Sequence, residues 1–223
     1  NLRDHGGTHH LNEGLFHSCR LPEVIGAVRE IQAALPALPL YLAGFSLGGN
    51  FLLRVAAAAA AHGLRLQKTV AVSPVLDPAR SLDAMENGLG LYRRYFVFKW
   101  ARSLVKKQAA WPQRYDFTDV LRTRSLRAMT DMLIRRYTEY PDLDTYLAGY
   151  AVTGERLASL TTPATILLAS DDPIVPWQDL DRLSCAGPLR IRLTAKGGHC
   201  AYLTDFAGPS WVDAAIEAEF AAA

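Results

Sequence analysis

Hydrophobic positions along the chain follow two patterns, short aliphatic runs and longer stretches with helical spacing. The runs are typical of strands covered on both faces of a sheet. They are Pro39–Gly44, Lys68–Ser73, Pro163–Ser170 and Leu189–Thr194. Helical spacing predicts helices over Leu21–Leu35, Leu47–His62, Gln178–Leu183 and Trp211–Phe220. Strands that alternate with helices predict the α/β class, with a mostly parallel sheet joined by right-handed crossovers.

One long stretch interrupts this alternation. From Asp77 to about Leu160 no strand pattern occurs, and Leu91–Lys107 and Ser125–Tyr137 have the spacing of helices rich in aromatic and basic residues. We interpret the stretch as a helical cap inserted into the sheet domain. The expected organisation is a first core part over 1–76, the cap over 77–160 and a second core part over 161–223.

Composition narrows the class of protein. The chain has 223 residues, of which 50% are hydrophobic and 21% charged, which excludes a disordered chain, a fibre and a disulfide scaffold. With 24 Lys and Arg against 22 Asp and Glu, the charge is too even to favour a nucleic-acid partner. Cys19, Cys185 and Cys200 have no framework spacing and are expected to be free thiols in a reducing compartment, which favours a cytoplasmic location.

Membrane and metal signals are weak. The apolar stretch Val55–Ala61 is shorter than the roughly 20 residues of a membrane span, and residues 1–20 are polar, so neither a transmembrane segment nor a signal peptide is expected.

The residues that could suggest a metal site are His5, His9, His10, His17 and Cys19. Their spacing matches no zinc motif, so we expect a polar loop and neither metal nor cofactor.

A G-x-S-x-G pentapeptide lies between a predicted strand and a predicted helix. It is Gly44-Phe45-Ser46-Leu47-Gly48. In this context the serine sits on a strained turn that lifts its hydroxyl out of the sheet, and the Leu47 N–H faces a developing oxyanion. A chance Gly-Ser turn is the alternative, which the flanking strand and helix disfavour.

A serine needs a base, and the base needs an orienting acid. Asp171-Asp172-Pro173 follows one strand, and Gly197-Gly198-His199 follows the next, in the order Ser, acid, His that this fold uses. Either aspartate could be the acid. The D-x-Ile-Val-Pro spacing favours Asp172, which leaves Asp171 to hold the loop.

These blocks together resemble the YheT-like branch of the α/β-hydrolases. Besides the motifs above, the resemblance includes the Asn1–Thr8 turn, Leu15-Phe16-His17-Ser18 and the extension of the serine motif through Gly49-Asn50. It covers nearly the whole chain, with the cap only loosely similar. The resemblance implies a catalytic triad of Ser46, His199 and Asp172 that acts on small-molecule or lipid esters.

The chain also departs from that family. Asp4 and Cys19 stand where glycine is usual, so their loops are expected to be altered. The Asn1–Thr8 turn follows the fourth strand of the family sheet. The first four strands, and the loop that supplies a second oxyanion donor, are therefore expected upstream of Asn1 or on a separate chain. The alternative is a degenerate protein that has lost them.

The function expected from these residues is serine hydrolysis of carboxylic esters through an acyl-enzyme. Two alternatives stay open, an acyltransferase that uses the same triad and a hydrolase-fold protein that binds without turnover. The cap pattern, rich in Arg, Lys and aromatic residues, is interpreted as a solvated basic face opposite an aromatic face packed on the sheet. A peripheral contact with anionic lipid is its alternative.

Overall fold

Four parallel strands form one sheet in the computed structural model, which describes residues 1–205, 208 and 210–222. The strands are β1 (Leu40–Phe45), β2 (Leu66–Val72), β3 (Ala164–Ala169) and β4 (Leu189–Thr194). They lie side by side in chain order, and each neighbouring pair is parallel. Their carboxyl ends therefore meet at one edge of the sheet, and the predicted α/β arrangement is what the structure contains.

The described residues form eight α-helices. They are α1 (Leu21–Ala34), α2 (Leu47–Ala58), α3 (Pro78–Asn87), α4 (Gly90–Ala110), α5 (Thr118–Arg122), α6 (Leu126–Tyr137), α7 (Leu143–Gly149) and α8 (Trp211–Ala221). Two predicted helices differ in detail. The helix predicted to end at His62 gives way after Ala58 to a 3₁₀ turn over Ala60–His62, and the one predicted at Gln178–Leu183 is a 3₁₀ turn over Trp177–Arg182.

The core lies on both faces of the sheet because successive strand residues point to opposite sides. Ile166 and Leu168 of β3 face the cluster that includes Leu53 of α2 and residues of α1. Leu167 faces the other side and packs with Val212 of α8. The two inner strands are thereby covered on both faces, as the aliphatic run of β3 and the aliphatic second half of β2 predict.

A buried ion pair fixes α8 on the sheet. Glu219 is 4% exposed, and its carboxylate accepts hydrogen bonds from Lys68 at 2.8 Å, Thr165 at 2.7 Å and Arg192 at 3.2 Å. Burial by itself would raise the pKa of Glu219, but these donors outweigh it and lower the pKa to about 2. The carboxylate therefore stays charged at neutral pH and joins α8 to three strands.

Helices α3 to α7 occupy the stretch between β2 and β3 that the sequence assigns to a cap. Their starts are set by capping: Asp77 accepts from the N–H groups of Ala79 and Arg80, and Ser125 accepts from that of Ala128. Leu82, Leu126, Ile134 and Leu147 make a cluster shared by α3, α6 and α7. These helices thus pack on one another, and side chains of α3 and α4 also pack against the core cluster that includes Leu53.

The segment before α1 packs tightly on α4. Lys107 is fully buried, and its Nζ donates to Asp4 Oδ1 at 2.8 Å and to the carbonyls of Asn12 and Gly14. His9 Nε2 lies 2.9 Å from Ser103 Oγ, and the His9 ring is buried. The predicted polar loop is therefore a packed segment, because α4 supplies partners for its polar groups.

No helix within the described residues combines the length and the apolar character needed to span a bilayer.

Candidate active site

Ser46 lies on a sharp turn between β1 and α2. Its φ of 51° and ψ of −121° fall outside the regions that non-glycine residues favour. The turn is held by hydrogen bonds from Ser46 N to Val72 O at 2.8 Å and from Asn50 N to Ser46 O at 3.0 Å. The strained backbone is thus fixed both to β2 and to the first turn of α2.

Two glycines permit this turn because β1 and α2 approach very closely. A Cβ on Gly44 would lie 2.9 Å from the backbone of Gly48, and a Cβ on Gly49 would lie 2.9 Å from the carbonyl oxygen of Gly44. Any larger residue would push the helix away from the strand. Gly44 therefore has the steric role that the motif predicts. Gly48 does not, because a Cβ there would have no atom within 4 Å, and the second close approach belongs to Gly49, just outside the pentapeptide.

Asp172 follows the carboxyl end of β3 and is held as an acceptor. Its side chain is fully buried, and Oδ1 accepts from the N–H groups of Ile174 at 2.8 Å and Val175 at 3.0 Å. His199 Nδ1 lies 3.1 Å from Oδ1 and 2.9 Å from Oδ2. A ring nitrogen that faces a carboxylate carries a proton, so Nδ1 donates to Asp172.

His199 connects this carboxylate to Ser46. Its Nε2 lies 3.0 Å from Ser46 Oγ, and the imidazole is 12% exposed. In the neutral ring Nδ1 carries the proton, so Nε2 is free to accept the proton of the Ser46 hydroxyl. The structure thus brings together Ser46, Asp172 and His199, the three residues that the sequence singles out.

The two adjacent aspartates have different partners. Asp172 contacts the imidazole, whereas exposed Asp171 accepts a hydrogen bond at 2.9 Å from the N–H of Gly198, which has a φ of 58°. The two aspartates therefore hold the histidine loop at successive residues. Asp171 binds the backbone of Gly198, and Asp172 binds the imidazole of His199.

The environment of His199 raises its affinity for a proton. Burial by itself would lower the pKa of His199, but hydrogen bonding and charge interactions with Asp172 and Cys200 outweigh it and raise the pKa to about 9. The site therefore stabilises the imidazolium, the species that forms when His199 takes a proton.

Tyr202 and Ser73 support the histidine loop, and the sequence gives no signal for either. Tyr202 is buried with a φ of 46°, its N–H donates to Gly197 O at 2.9 Å, and its hydroxyl lies 3.4 Å from Ser73 Oγ. A Cβ on Gly197 would lie 2.5 Å from the tyrosine ring. Burial raises the pKa of Tyr202 to about 12, so the hydroxyl stays neutral.

Leu47 is the first residue of α2, so helix geometry leaves its N–H without an intrahelical acceptor. That group lies next to Ser46 and is available to an oxygen bound at the site. No group of three or more His, Cys, Asp or Glu side chains within the described residues is arranged to hold a metal ion.

Comparisons with known proteins agree with this architecture. The protein named "Putative esterase YheT" of Escherichia coli is 27% identical over 195 residues, which covers 85% of this chain and 56% of the relative. The monoacylglycerol lipase of Saccharomyces cerevisiae is 23% identical over 194 residues, which covers 82% of this chain and 42% of the relative. The chain thus spans about half the length of these relatives. The resemblance to the YheT-like branch is confirmed.

Solved structures share the fold at low sequence identity. A serine hydrolase from Cycloclasticus zankles superposes with a TM-score of 0.51 at 16% identity, covering 89% of this chain and 71% of that one. An α/β fold family hydrolase from Bacillus anthracis gives 0.51 at 12% identity, covering 88% and 72%. The family model described as alpha/beta hydrolase fold matches residues 1–206. With that match over most of its length, the chain belongs to the α/β-hydrolase fold family.

Proposed function

We propose that the chain is the catalytic part of a serine hydrolase that cleaves carboxylic esters. The observation that carries the proposal is the unbroken hydrogen-bonded path from Asp172 through His199 to Ser46 Oγ. Esterase and lipase names among its relatives support esters as the substrate class.

The reaction has two steps that use the same groups. His199 Nε2 accepts the Ser46 proton as Oγ attacks the ester carbonyl carbon, and the N–H of Leu47 stabilises the oxyanion. The imidazolium then gives its proton to the departing alkoxide, which leaves an acyl group on Ser46. Water then attacks that acyl carbon while His199 accepts its proton. The bond between the acyl carbon and Ser46 Oγ breaks, His199 returns the proton to Oγ, and the carboxylic acid leaves.

Asp172 contributes by orientation and charge. Its carboxylate holds Nδ1 protonated, so that Nε2 is the nitrogen that accepts from Ser46, and it stabilises the imidazolium that both steps form. The backbone donors of Ile174 and Val175 keep this carboxylate in place.

Hydrolysis of short p-nitrophenyl esters tests the proposal. Ser46→Ala is expected to abolish the release of p-nitrophenol, because no other group supplies the nucleophile. Ser184→Ala is the matched control, because it removes a serine hydroxyl that takes no part in the proposed reaction. Ser184 follows the 3₁₀ turn of Trp177–Arg182, and its hydroxyl donates to Glu155. Full activity in Ser46→Ala would refute the mechanism.

A further inference from the structure

One side of the cap helix α4 is unusually apolar for a surface. Tyr92 and Phe96 pack on the core, but several large side chains of the same helix face outward. They are Leu91 (78% exposed), Tyr95 (52%), Phe98 (55%) and Val105 (53%). The expectation that the aromatic residues all pack inward is therefore wrong, and this set is called the α4 outer face.

Basic side chains accompany this apolar surface. The sequence of α4 contains six Lys and Arg residues and no acidic residue. Lys107 is buried against Asp4, and the other five have no ion pair within the part of the chain that the structure describes. Lys99 Nζ lies 5.5 Å from the centre of the Tyr95 ring, and the Arg102 guanidinium lies 5.5 Å from that of Phe98. Positive charge and exposed aromatic rings are thus interleaved.

A groove near the start of α4 is lined by both basic and apolar side chains. Its volume is about 620 Å³, and Arg93, Arg94, Val97, Phe98 and Arg124 line it. Arg124 comes from the connection between α5 and α6, so two separate segments bring guanidinium groups to one apolar floor. Three positive charges beside an apolar floor suit a partner that is anionic and also has an apolar part.

We propose that the α4 outer face binds the surface of an anionic lipid bilayer. A basic face with Leu and Phe side chains is what places a helix at the boundary between headgroups and acyl chains. Arg94 and Arg124 would contact lipid phosphates, while Leu91 and Phe98 enter the acyl region. A merely solvated basic face explains the charges but not the four large apolar side chains exposed beside them.

The position of this surface in the molecule suits an enzyme that acts on lipids. α4 begins two residues after Gly88, and a Cβ on Gly88 would lie 4.0 Å from the carbonyl oxygen of Pro173, the residue that follows Asp172. The bilayer-binding face therefore starts beside the loop that holds Asp172. Bilayer binding itself does not depend on the proposed ester hydrolysis.

Vesicle co-sedimentation tests the inference. The chain is expected to bind phosphatidylcholine vesicles that contain phosphatidylglycerol, and to release them near 1 M salt, where the Debye length is about 3 Å. The double variant Arg94→Glu and Arg124→Glu should lower the partition coefficient about 25-fold or more, since each basic residue near the surface contributes roughly fivefold. Neither arginine has an ion pair among the described residues, so folding should be retained.

Two further variants locate the binding surface. Arg29→Glu with Arg65→Glu makes the same charge change at exposed arginines on α1 and before β2, and should leave binding nearly unchanged. Leu91→Ser with Phe98→Ser should weaken binding while its dependence on salt remains. All three double variants should hydrolyse a short soluble ester like the wild type, which separates this test from that of the proposed function.

Several results would overturn the inference. Equal binding to vesicles with and without phosphatidylglycerol would contradict the role of charge. Equal losses in the Arg94/Arg124 and Arg29/Arg65 variants would mean that net charge matters and the face does not. The wild type could also form a dimer and bind no vesicles. If the Leu91→Ser and Phe98→Ser double variant then abolished the dimer, the α4 outer face would be assigned to a second copy of the chain.

Discussion

Among single residues, His199 controls the proposed chemistry through its protonation state. With its pKa raised to about 9, the imidazole is protonated at neutral pH in the free protein and cannot accept the Ser46 proton. Because the pKa of His199 is raised, its neutral, active form accumulates only as the pH increases towards 9. We expect kcat/KM for a soluble ester to rise with pH, with a midpoint well above the ordinary 6.5 and near 9.

Asp172→Asn supplies the control for this pH profile. The substitution removes the negative charge that favours the imidazolium, so the midpoint should move to lower pH while the maximal rate falls. A wild-type midpoint at or below 6.5 would contradict the account of how the site holds its proton.

Asp171 is a positioning residue that acts through the histidine loop. Asp171→Ala removes the acceptor of the Gly198 N–H, and the loss of one such hydrogen bond, about 1 kcal/mol, should lower kcat about fivefold with little change in KM. Asp171→Asn keeps an oxygen acceptor and should restore most of the rate. Equal loss in both variants would show that the charge of Asp171, rather than its hydrogen bond, matters.

The predictability of the site differs from residue to residue. Ser46, Asp172 and His199 could be singled out because each follows a strand pattern and lies in a recognisable local motif. The D-x-Ile-Val-Pro spacing favours Asp172 over Asp171 but leaves both open, and the structure places Asp172 against the imidazole and Asp171 against the Gly198 N–H. Tyr202 and Ser73 could not be found, because their contact joins the histidine loop to the end of β2 and leaves no local pattern in either segment.

At the scale of elements, the buried pair of Asp4 and Lys107 joins the segment before α1 to helix α4. Asp4 has a φ of 58°, where the family usually has glycine, and its carboxylate pairs with a lysine that is fully buried on α4. The side chain at this unusual position thus creates an attachment that glycine could not provide.

Lys107→Met should therefore destabilise the protein strongly. It leaves the Asp4 carboxylate buried without its counter-ion, which typically costs about 3–5 kcal/mol. At about 2–4 °C per kcal/mol for a chain of this size, the melting temperature should fall by about 10 °C in a thermal scan. Lys106→Met, at the exposed neighbouring position, is the control and should change it little. Equal effects would exclude the buried pair as an attachment.

Elements defined by continuous aliphatic runs could be predicted, and those defined by capping could not. β3 is covered on both faces, and its sequence contains only aliphatic residues and one threonine, whereas β2 is aliphatic in its second half and carries Gln67, Lys68 and Thr69 in its first. α3 and α7 are short, and their starts depend on the side chains of Asp77 and Asp142. Such helices lack the several turns over which apolar periodicity becomes visible.

For the whole molecule, the site depends on segments far apart in sequence. Ser46 precedes the helices α3 to α7, whereas Asp172 and His199 follow them. The parallel sheet brings them together because all three lie just beyond the carboxyl ends of its strands. Helices α3 to α7 lie in the chain between these two halves of the site, and one of them, α4, carries the outer face proposed to bind a bilayer.

The most direct test of the central claim is covalent labelling with a fluorophosphonate probe, followed by peptide mapping. Such a probe reacts with a serine only where a neighbouring base activates the hydroxyl. We expect a single labelled peptide with the modification on Ser46, and loss of labelling in His199→Ala. Two results would contradict the claim that Asp172 and His199 activate Ser46. One is an intact, folded chain that the probe does not label, and the other is equal labelling of the wild type and His199→Ala.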